Sequence, residues 1–334
     1  MVAHLLPPVH ASLSLRLLDC SSCALIHTLQ QKRITVPSQS LAQFALDILT
    51  GAVVVGGATE VLVPFSLLKY VHDFFKSTSA DRQRREAWDT LAMDDRLVIL
   101  TAPRDVPRLI AEFPRYTQVC MCVPTGPLCS RMLFDHTPLE TFFSEHLTPA
   151  MTALSEASPR EYRCTAWLRS SLSCRFEGPH VPAVRVAETA ARLLGGAHGC
   201  CCERVVYEEG VAGVTPRAVE TAVAAAAACG VGAGRMVLAV CRGGAAGDLV
   251  ARAVGVGSGG AAVCAAPAPL FPHSEELMGP SDVLKLACGW NDVSGQLSDE
   301  ELASLEDSIE YSTTLAMEWE AWLKRWGKET NPSP

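Results

Sequence analysis

Short apolar, β-branched or cysteine-rich runs alternate along this chain with segments of helical period, and that alternation limits the fold more than any other feature. The runs are Leu13–Leu18, Ala52–Val55, Leu97–Thr101, Val119–Val123, Arg163–Leu168, Cys201–Tyr207, Met236–Val240 and Ala261–Cys264, and each reads as a strand. Helical period marks Gln39–Thr50 and Pro138–Ser155, and it recurs in Val184, Ala187, Ala191 and Leu194. Thr215-Pro216 reads as a helix start, a capping hydroxyl followed by proline in the first turn. Strands separated by helices pair in parallel through right-handed crossovers. Such units filling roughly 270 residues suit a closed (β/α)8 TIM barrel better than an open sheet. A polar tail follows, in which Ser298 and Glu301 form a capping box ahead of a long amphipathic helix. Its Trp319, Trp322 and Trp326 recur at helical spacing and are expected to pack on the barrel. The division expected is an N-terminal extension (1–12), the barrel (13–290) and a helical C-terminal extension (291–334).

Hydrophobic residues make up 49% of the 334 and charged residues 19%, which supports a well-buried core and argues against disorder. A net charge of −8 excludes a general nucleic-acid surface. The basic cluster Arg82, Arg84 and Arg85 reads as a solvated helix face. No run is long enough for a transmembrane helix; Val219–Gly232 is short and broken by Gly230. The stretch MVAHLLPPVHASLSLRLL carries Arg16 and no acid before Asp19, a pattern of mitochondrial targeting, so a mitochondrial or cytoplasmic location is expected. The 14 cysteines are irregularly spaced. Cys200, Cys201 and Cys202 are adjacent and cannot share one face of a strand. Cys20 and Cys23 form a C-x-x-C with no second pair at zinc spacing. They read as reduced, small apolar fillers of an intracellular protein.

Function in such a fold sits at the C-terminal ends of strands. After the run Met236–Val240 come Cys241, Arg242 and a glycine-rich turn, CRGGAAGD, that opens toward a helix. Backbone N–H groups there could cradle an anion with Arg242 as counter-charge, although the Walker lysine and the full dinucleotide glycine pattern are missing.

The middle third resembles the 3-hydroxy-3-methylglutaryl-CoA (HMG-CoA) lyases. Their Cys-Pro-Tyr-Glu-Gly stretch is matched by Cys174-Arg175-Phe176-Glu177-Gly178, their next helix by Val186-Ala187-Glu188-Thr189, and their Gly-x-x-Thr-Pro-like turn by Gly213-Val214-Thr215-Pro216. The resemblance extends faintly over residues 13–290. It implies a TIM barrel of the pyruvate carboxyltransferase type and a lyase that splits HMG-CoA into acetyl-CoA and acetoacetate, in leucine catabolism, with Mg or Mn as cofactor. That chemistry calls for a cation to polarise oxygens, a base, a cationic donor and an acid.

The resemblance also implies where those groups would stand. The family's Arg-Asp-Gly-Leu-Gln after the first strand falls on Ser22, Cys23, Ala24, Leu25 and Ile26, so Ser22 replaces the arginine and Cys23 the metal-binding aspartate. The glutamate after the second strand falls on Gly56. The two metal-binding histidines after the seventh strand fall on Cys241 and Gly243. Phe271 stands in place of the loop cysteine that serves in catalysis. The acidic position after the sixth strand survives as Glu209. No two of the nine histidines are two residues apart, so a shifted alignment restores no His-x-His.

The expected function is therefore that of an HMG-CoA lyase-like protein without catalysis and without a metal: a pseudoenzyme with a binding or assembly role, pairing with itself or with an active lyase paralogue, with a CoA ester as a candidate ligand and no nucleic-acid or membrane partner. The alternative is a remodelled acyl-CoA carbon–carbon lyase using Mg or Mn. For that alternative the candidate residues are Arg169, Glu209, Arg242 and His273, with Glu208 and Glu275 beside them. It expects Glu209, Arg242 and His273 to converge in one pocket.

Overall fold

The computed structural model describes residues 16–77, 82–157, 161–195, 202–242, 259–283 and 299–329. Eight parallel strands close into a barrel in chain order. They are β1 (Leu17–Asp19), β2 (Glu60–Pro64), β3 (Leu97–Thr101), β4 (Gln118–Pro124), β5 (Arg163–Ser173), β6 (Cys202–Glu209), β7 (Met236–Ala239) and β8 (Gly260–Val263). The helices are α1 (Ser21–Lys32), α2 (Ser38–Val54), α3 (Phe65–Ser77), α4 (Arg82–Met93), α5 (Val106–Glu112), α6 (Pro127–Leu133), α7 (Leu139–Thr141), α8 (Thr148–Glu156), α9 (Ala183–Leu194), α10 (Pro216–Ala228) and α11 (Asp299–Glu329). The (β/α)8 barrel with a C-terminal helix expected from the alternation is the observed architecture. None of the described helices is long and apolar enough to cross a membrane.

Closure depends on the small residues of β8. Leu17 and Asp19 of β1 pair with Ala261 and Val263. Gly260 has φ +152, and a Cβ there would meet the Arg16 carbonyl oxygen at 2.4 Å, so only glycine lets the first and last strands approach this closely. At the top of the same seam the Asp19 carboxylate accepts from the Ser21 N–H and Oγ, both at 3.0 Å, and Ser21 Oγ accepts from the Ala265 N–H at 3.0 Å.

Two expectations need correction. The run Ala52–Val55 is no strand: α2 extends through Val54, and β2 begins only at Glu60. The buried positions of α2 (Leu41, Ala42, Ala45, Leu46, Ile48, Leu49, Ala52 and Val53) continue one helical stripe, which a short apolar run cannot reveal by itself. In α9 the inward stripe is Val186, Ala187, Ala190, Leu193 and Leu194, while Val184 is exposed. The Thr215 cap holds as read, accepting from the Ala218 N–H at 3.3 Å. Leu13–Leu15, Cys201 and the Ser298–Glu301 box lie in part or whole outside the described residues. The basic cluster is a solvated face, Arg82 paired with Glu86 and Arg84 with Asp47.

The C-terminal helix α11 docks on α2. Trp319 is buried, Trp322 stacks on Phe44 with ring centroids 4.6 Å apart, and Tyr311 donates to the Ile48 carbonyl at 3.0 Å. The tryptophans thus pack as their spacing implied.

The barrel interior is polar at both ends. Near its base, Arg204 of β6 reaches across to Glu60 of β2 and donates to Thr165 Oγ1 of β5 at 3.0 Å. Near its mouth, Arg169 of β5 pairs with Glu208 of β6. Between these pairs lie the thiols of Cys23, Cys120, Cys122 and Cys264. Burial pushes all four up, Cys122 to about 11 and Cys264 to about 12. The described cysteines are free, and most are buried as fillers.

Two outcomes test this construction. Trp319→Ala is expected to lower unfolding free energy by about 3–5 kcal/mol in urea titrations, the cost of emptying a buried aromatic site. Burial raises Asp19 from its ordinary 3.8 to about 6 against the pull of the Ser21 hydrogen bonds. The folded state therefore holds this proton more tightly than the unfolded chain. Its contribution to stability is fullest below pH 3.8 and is lost as pH climbs through about 6. Stability curves over that window should lose this component in Asp19→Asn.

Candidate functional site

The mouth of the barrel is organised by an irregularity in β5. Register with β6 shifts once near the base, between Cys164 and Thr165, runs evenly from Thr165–Arg204 to Leu168–Tyr207, and shifts again before Ser173 pairs with Glu209. Ser170, at φ +54, takes up the extra length. The consequence is a socket for one carboxylate. Glu208 Oε2 accepts from Arg169 Nε at 2.8 Å and from the Ser170 N–H at 2.7 Å. The Ser171 hydroxyl receives the Glu208 N–H at 2.8 Å. Both members of the pair are buried, with side-chain exposures of 7% for Arg169 and 2% for Glu208. Burial opposes the Arg169 charge, and Glu208 with the neighbouring Cys122 outweighs it.

An aromatic cap lies over this pair. The Phe271 ring sits 4.0 Å from the Arg169 guanidinium carbon and meets Trp167 edge-on at 5.5 Å. A guanidinium held against a ring and tied to a carboxylate has little freedom to meet a substrate. Two imidazoles stand near the rim. His27 of α1 is lowered first by burial and then by the charges of Arg169 and His273. His273, at φ +62, packs edge-on against Phe176 at 5.7 Å.

The structure separates the residues expected from the sequence. Arg169 enters the mouth, and its partner is Glu208. Glu209 turns instead into the loops: its Oε1 accepts from the Gly213 and Val214 N–H groups and its Oε2 from the Cys241 N–H, each at 2.9 Å. Burial nevertheless raises its pKa. Arg242 is half-exposed and faces Glu276 at 3.6 Å and Asp282 at 3.9 Å. Those acids already answer its charge, which weakens it as an anion receptor; the glycine-rich turn from Gly243 onward lies outside the described residues. Glu275 accepts from the Ala212 N–H at 3.2 Å. Among the described contacts, Glu209, Arg242 and His273 each keep separate partners. Gly56 is not at a strand end: it follows α2, where a Cβ would strike Tyr311. The residue matched to the glutamate after the second strand thus lies ahead of β2, which ends at Pro64.

The donors matched to a metal do not suit one. Mg2+ and Mn2+ take oxygen and imidazole ligands. Cys23 Sγ instead donates to the Leu62 carbonyl at 3.4 Å and Cys241 Sγ to the Glu209 carbonyl at 3.1 Å. Burial, aided by neighbouring thiols or carboxylates, pushes both thiols up, which works against the thiolate a metal would need. Ser22 spends its hydroxyl on the same Leu62 carbonyl at 2.6 Å. Among the described residues no three His, Cys, Asp or Glu side chains are grouped to share an ion.

The sequence pointed to Glu209 rather than Glu208. The signal available was parity: Arg204 and Glu208 lie an even number of residues apart on β6 and share the inward face. A cleft of about 300 Å³ also opens at this end of the fold, between the starts of α9 and α10. Ser171, His180, Thr215 and Arg217 are among its polar lining.

The chain superposes on the HMG-CoA lyase of Brucella melitensis with TM-score 0.65 and 13% identity, over 91% of this chain and 99% of that one. It superposes on an HMG-CoA lyase of Acinetobacter baumannii, solved with coenzyme A and 3-methylmalate, with TM-score 0.64 and 13% identity, over 91% of each. The carboxyl transferase domain of Rhizobium etli pyruvate carboxylase follows at TM-score 0.51 and 12% identity, over 89% of this chain and 47% of that one. The chain has the barrel fold of the HMG-CoA lyases and carboxyl transferases. No family model matches the sequence, and no curated protein matches it.

The pair at the mouth makes a stability prediction. Glu208→Gln leaves a buried guanidinium unanswered and is expected to cost about 3–5 kcal/mol, whereas Arg169→Met with Glu208→Gln should recover much of that loss. Chemical denaturation of the three proteins checks it.

Proposed function

We propose that this protein is a divergent barrel of HMG-CoA lyase type that has given up metal-dependent carbon–carbon cleavage and acts as a binding or assembly protein. One observation carries the reading: the barrel mouth holds the Arg169–Glu208 pair under Phe271, while Cys23 and Cys241, at the matched ligand positions, donate to the Leu62 and Glu209 carbonyls. Cleaving the bond would need electrostatic help at the developing enolate, and such help is worth several kcal/mol in enzymes that retain it. A site whose charges are already satisfied has none to spare. The likeness to a lyase solved with coenzyme A supports a CoA ester as the ligand, and the cleft lined by His180 and Arg217 offers cationic and hydrogen-bonding groups to it. The partner in this reading is a second copy of the chain or an active lyase paralogue, in the mitochondrion or cytoplasm.

A remodelled lyase is the second reading, favoured by the two imidazoles, His27 and His273, with His27 close enough to Arg169 to feel its charge. One assay separates the two. Purified protein given HMG-CoA with Mg2+ or Mn2+ should release acetoacetate no faster than buffer. Turnover approaching an ordinary enzymatic rate, on the order of 10 s⁻¹, would remove the first reading. Calorimetry with CoA should still report binding, weakened in Arg217→Ala.

A further inference from the structure

At the base of the barrel, away from the mouth, three elements meet at one hydroxyl. Tyr116, in the segment between α5 and β4, is buried. Its hydroxyl oxygen lies 2.9 Å from His72 Nε2 of α3 and 2.9 Å from Trp88 Nε1 of α4. Phe113 closes the group, meeting the half-buried His72 ring edge-on at 4.9 Å and lying 6.5 Å from the Tyr116 ring. Trp88 meets the Tyr116 ring edge-on at 6.0 Å. The segment that carries Tyr116 is itself pinned to β5, where the Arg163 N–H donates to the Thr117 carbonyl at 2.9 Å.

The proton positions follow from what each group can do. An indole N–H only donates, so the Tyr116 oxygen accepts from Trp88. Arg115, whose guanidinium carbon sits 4.8 Å from the centre of the Tyr116 ring, also only donates. Among the described residues the hydroxyl proton therefore has one acceptor, His72 Nε2. That bond requires a neutral imidazole with its own proton on Nδ1. An imidazolium would place a second donor against the hydroxyl and leave the hydroxyl proton, in a buried site, with nothing to accept it. The charges around the ring come from three elements: Asp73 and Lys76 of α3, Asp89 of α4, and Arg115 ahead of β4, which pairs with Asp89 at 2.9 Å. Burial lowers His72 from its ordinary 6.5, Arg115 and Lys76 add to the effect, and Asp73 and Asp89 oppose it without overcoming it.

We infer that the His72–Tyr116 contact is an acid-released latch: it holds α3 to the segment ahead of β4 while the imidazole is neutral, and it lets α3 go when the ring takes up a proton. The folded state resists a proton that the opened state accepts. The contribution of the contact to stability is therefore present above the ordinary imidazole value of 6.5 and is lost as pH falls below it. The release is confined to α3. Trp88 keeps the hydroxyl oxygen as its acceptor whether or not His72 is charged, and the Thr117 carbonyl keeps its bond to β5, so α4 and the start of β4 stay in place.

The test uses the full chain. Amide hydrogen exchange, read by mass spectrometry at pH 7.5 and 5.5 and corrected for intrinsic rates, should show peptides across α3 losing about ten-fold more protection in acid than peptides across α9, a helix without histidine. Ten-fold is the ceiling for one imidazole of ordinary pKa about 6.5 that is protonated only in the opened state. In His72→Gln, whose amide oxygen can take the Tyr116 proton and does not titrate, that excess should vanish. In the wild-type chain at pH 7.5, nitrogen NMR of the His72 ring, assigned through its contacts with Phe113 and Tyr116, should find Nδ1 protonated and Nε2 bare. Equal losses of protection in α3 and α9, an excess that survives in His72→Gln, or a neutral ring with its proton on Nε2 would each overturn the proposal. Two of these readings are made on the wild-type chain and stand even if the variant fails to fold.

Discussion

A guanidinium and a carboxylate share the inside of this barrel at the ends of β5 and β6, and the geometry of the mouth is arranged around keeping them satisfied. Ions removed from water are tolerated only when each lone pair and proton finds a partner. Here the partners come from backbone as much as from side chains. The bulge at Ser170 turns an N–H onto Glu208, Ser171 holds the Glu208 backbone, and Thr125 donates to the Arg169 carbonyl at 2.9 Å. Phe271 then excludes water from the guanidinium face. The same closure that satisfies the pair takes its charges out of circulation.

Around that pair the usual division of a TIM barrel between stabilising base and reactive top is blurred. The base carries its own ion pair, Arg204 with Glu60, and the layer between is rich in thiols where branched aliphatics are usual. Small residues in β8 match the narrow approach of β1, so the glycine- and alanine-rich last strand is accounted for by closure. At the rim, carboxylates hold loops: Glu209 gathers the turn after β6 and the start of the segment after β7, and Glu177 binds a hairpin to α6.

Much of the architecture was legible because apolar runs of strand length are bounded by helical stretches. Leu97–Thr101 is β3 to the residue, and the runs at Val119, Arg163, Met236 and Ala261 fall on β4, β5, β7 and β8. Ala52–Val55 misled because valines and alanines at the end of a buried helix look like a strand until the whole stripe is counted. The site was harder to read. Strands of a parallel barrel are buried on both faces, so polarity alone does not say which of Glu208 and Glu209 points inward, and parity with Arg204 decides it only once Arg204 is known to face the axis. The deciding feature is a bulge in β5, a different strand, and it has no signature in the residues of β6. Likeness to the lyases singled out Phe271, but its partner, the Arg169 guanidinium, depends on which residues of β5 face the axis.

Strand β6 carries one member of each interior ion pair, Arg204 reaching one way across the axis and Glu208 meeting its neighbour nearer the opening. A one-residue slip in the pairing of that strand would turn both outward together, abandoning Glu60 and Arg169 in hydrocarbon at opposite ends. The two ions thus work as fixed marks on a ruler. A chain that lays this strand down out of step meets the penalty twice, so the correct alignment is the one in which both pairs form.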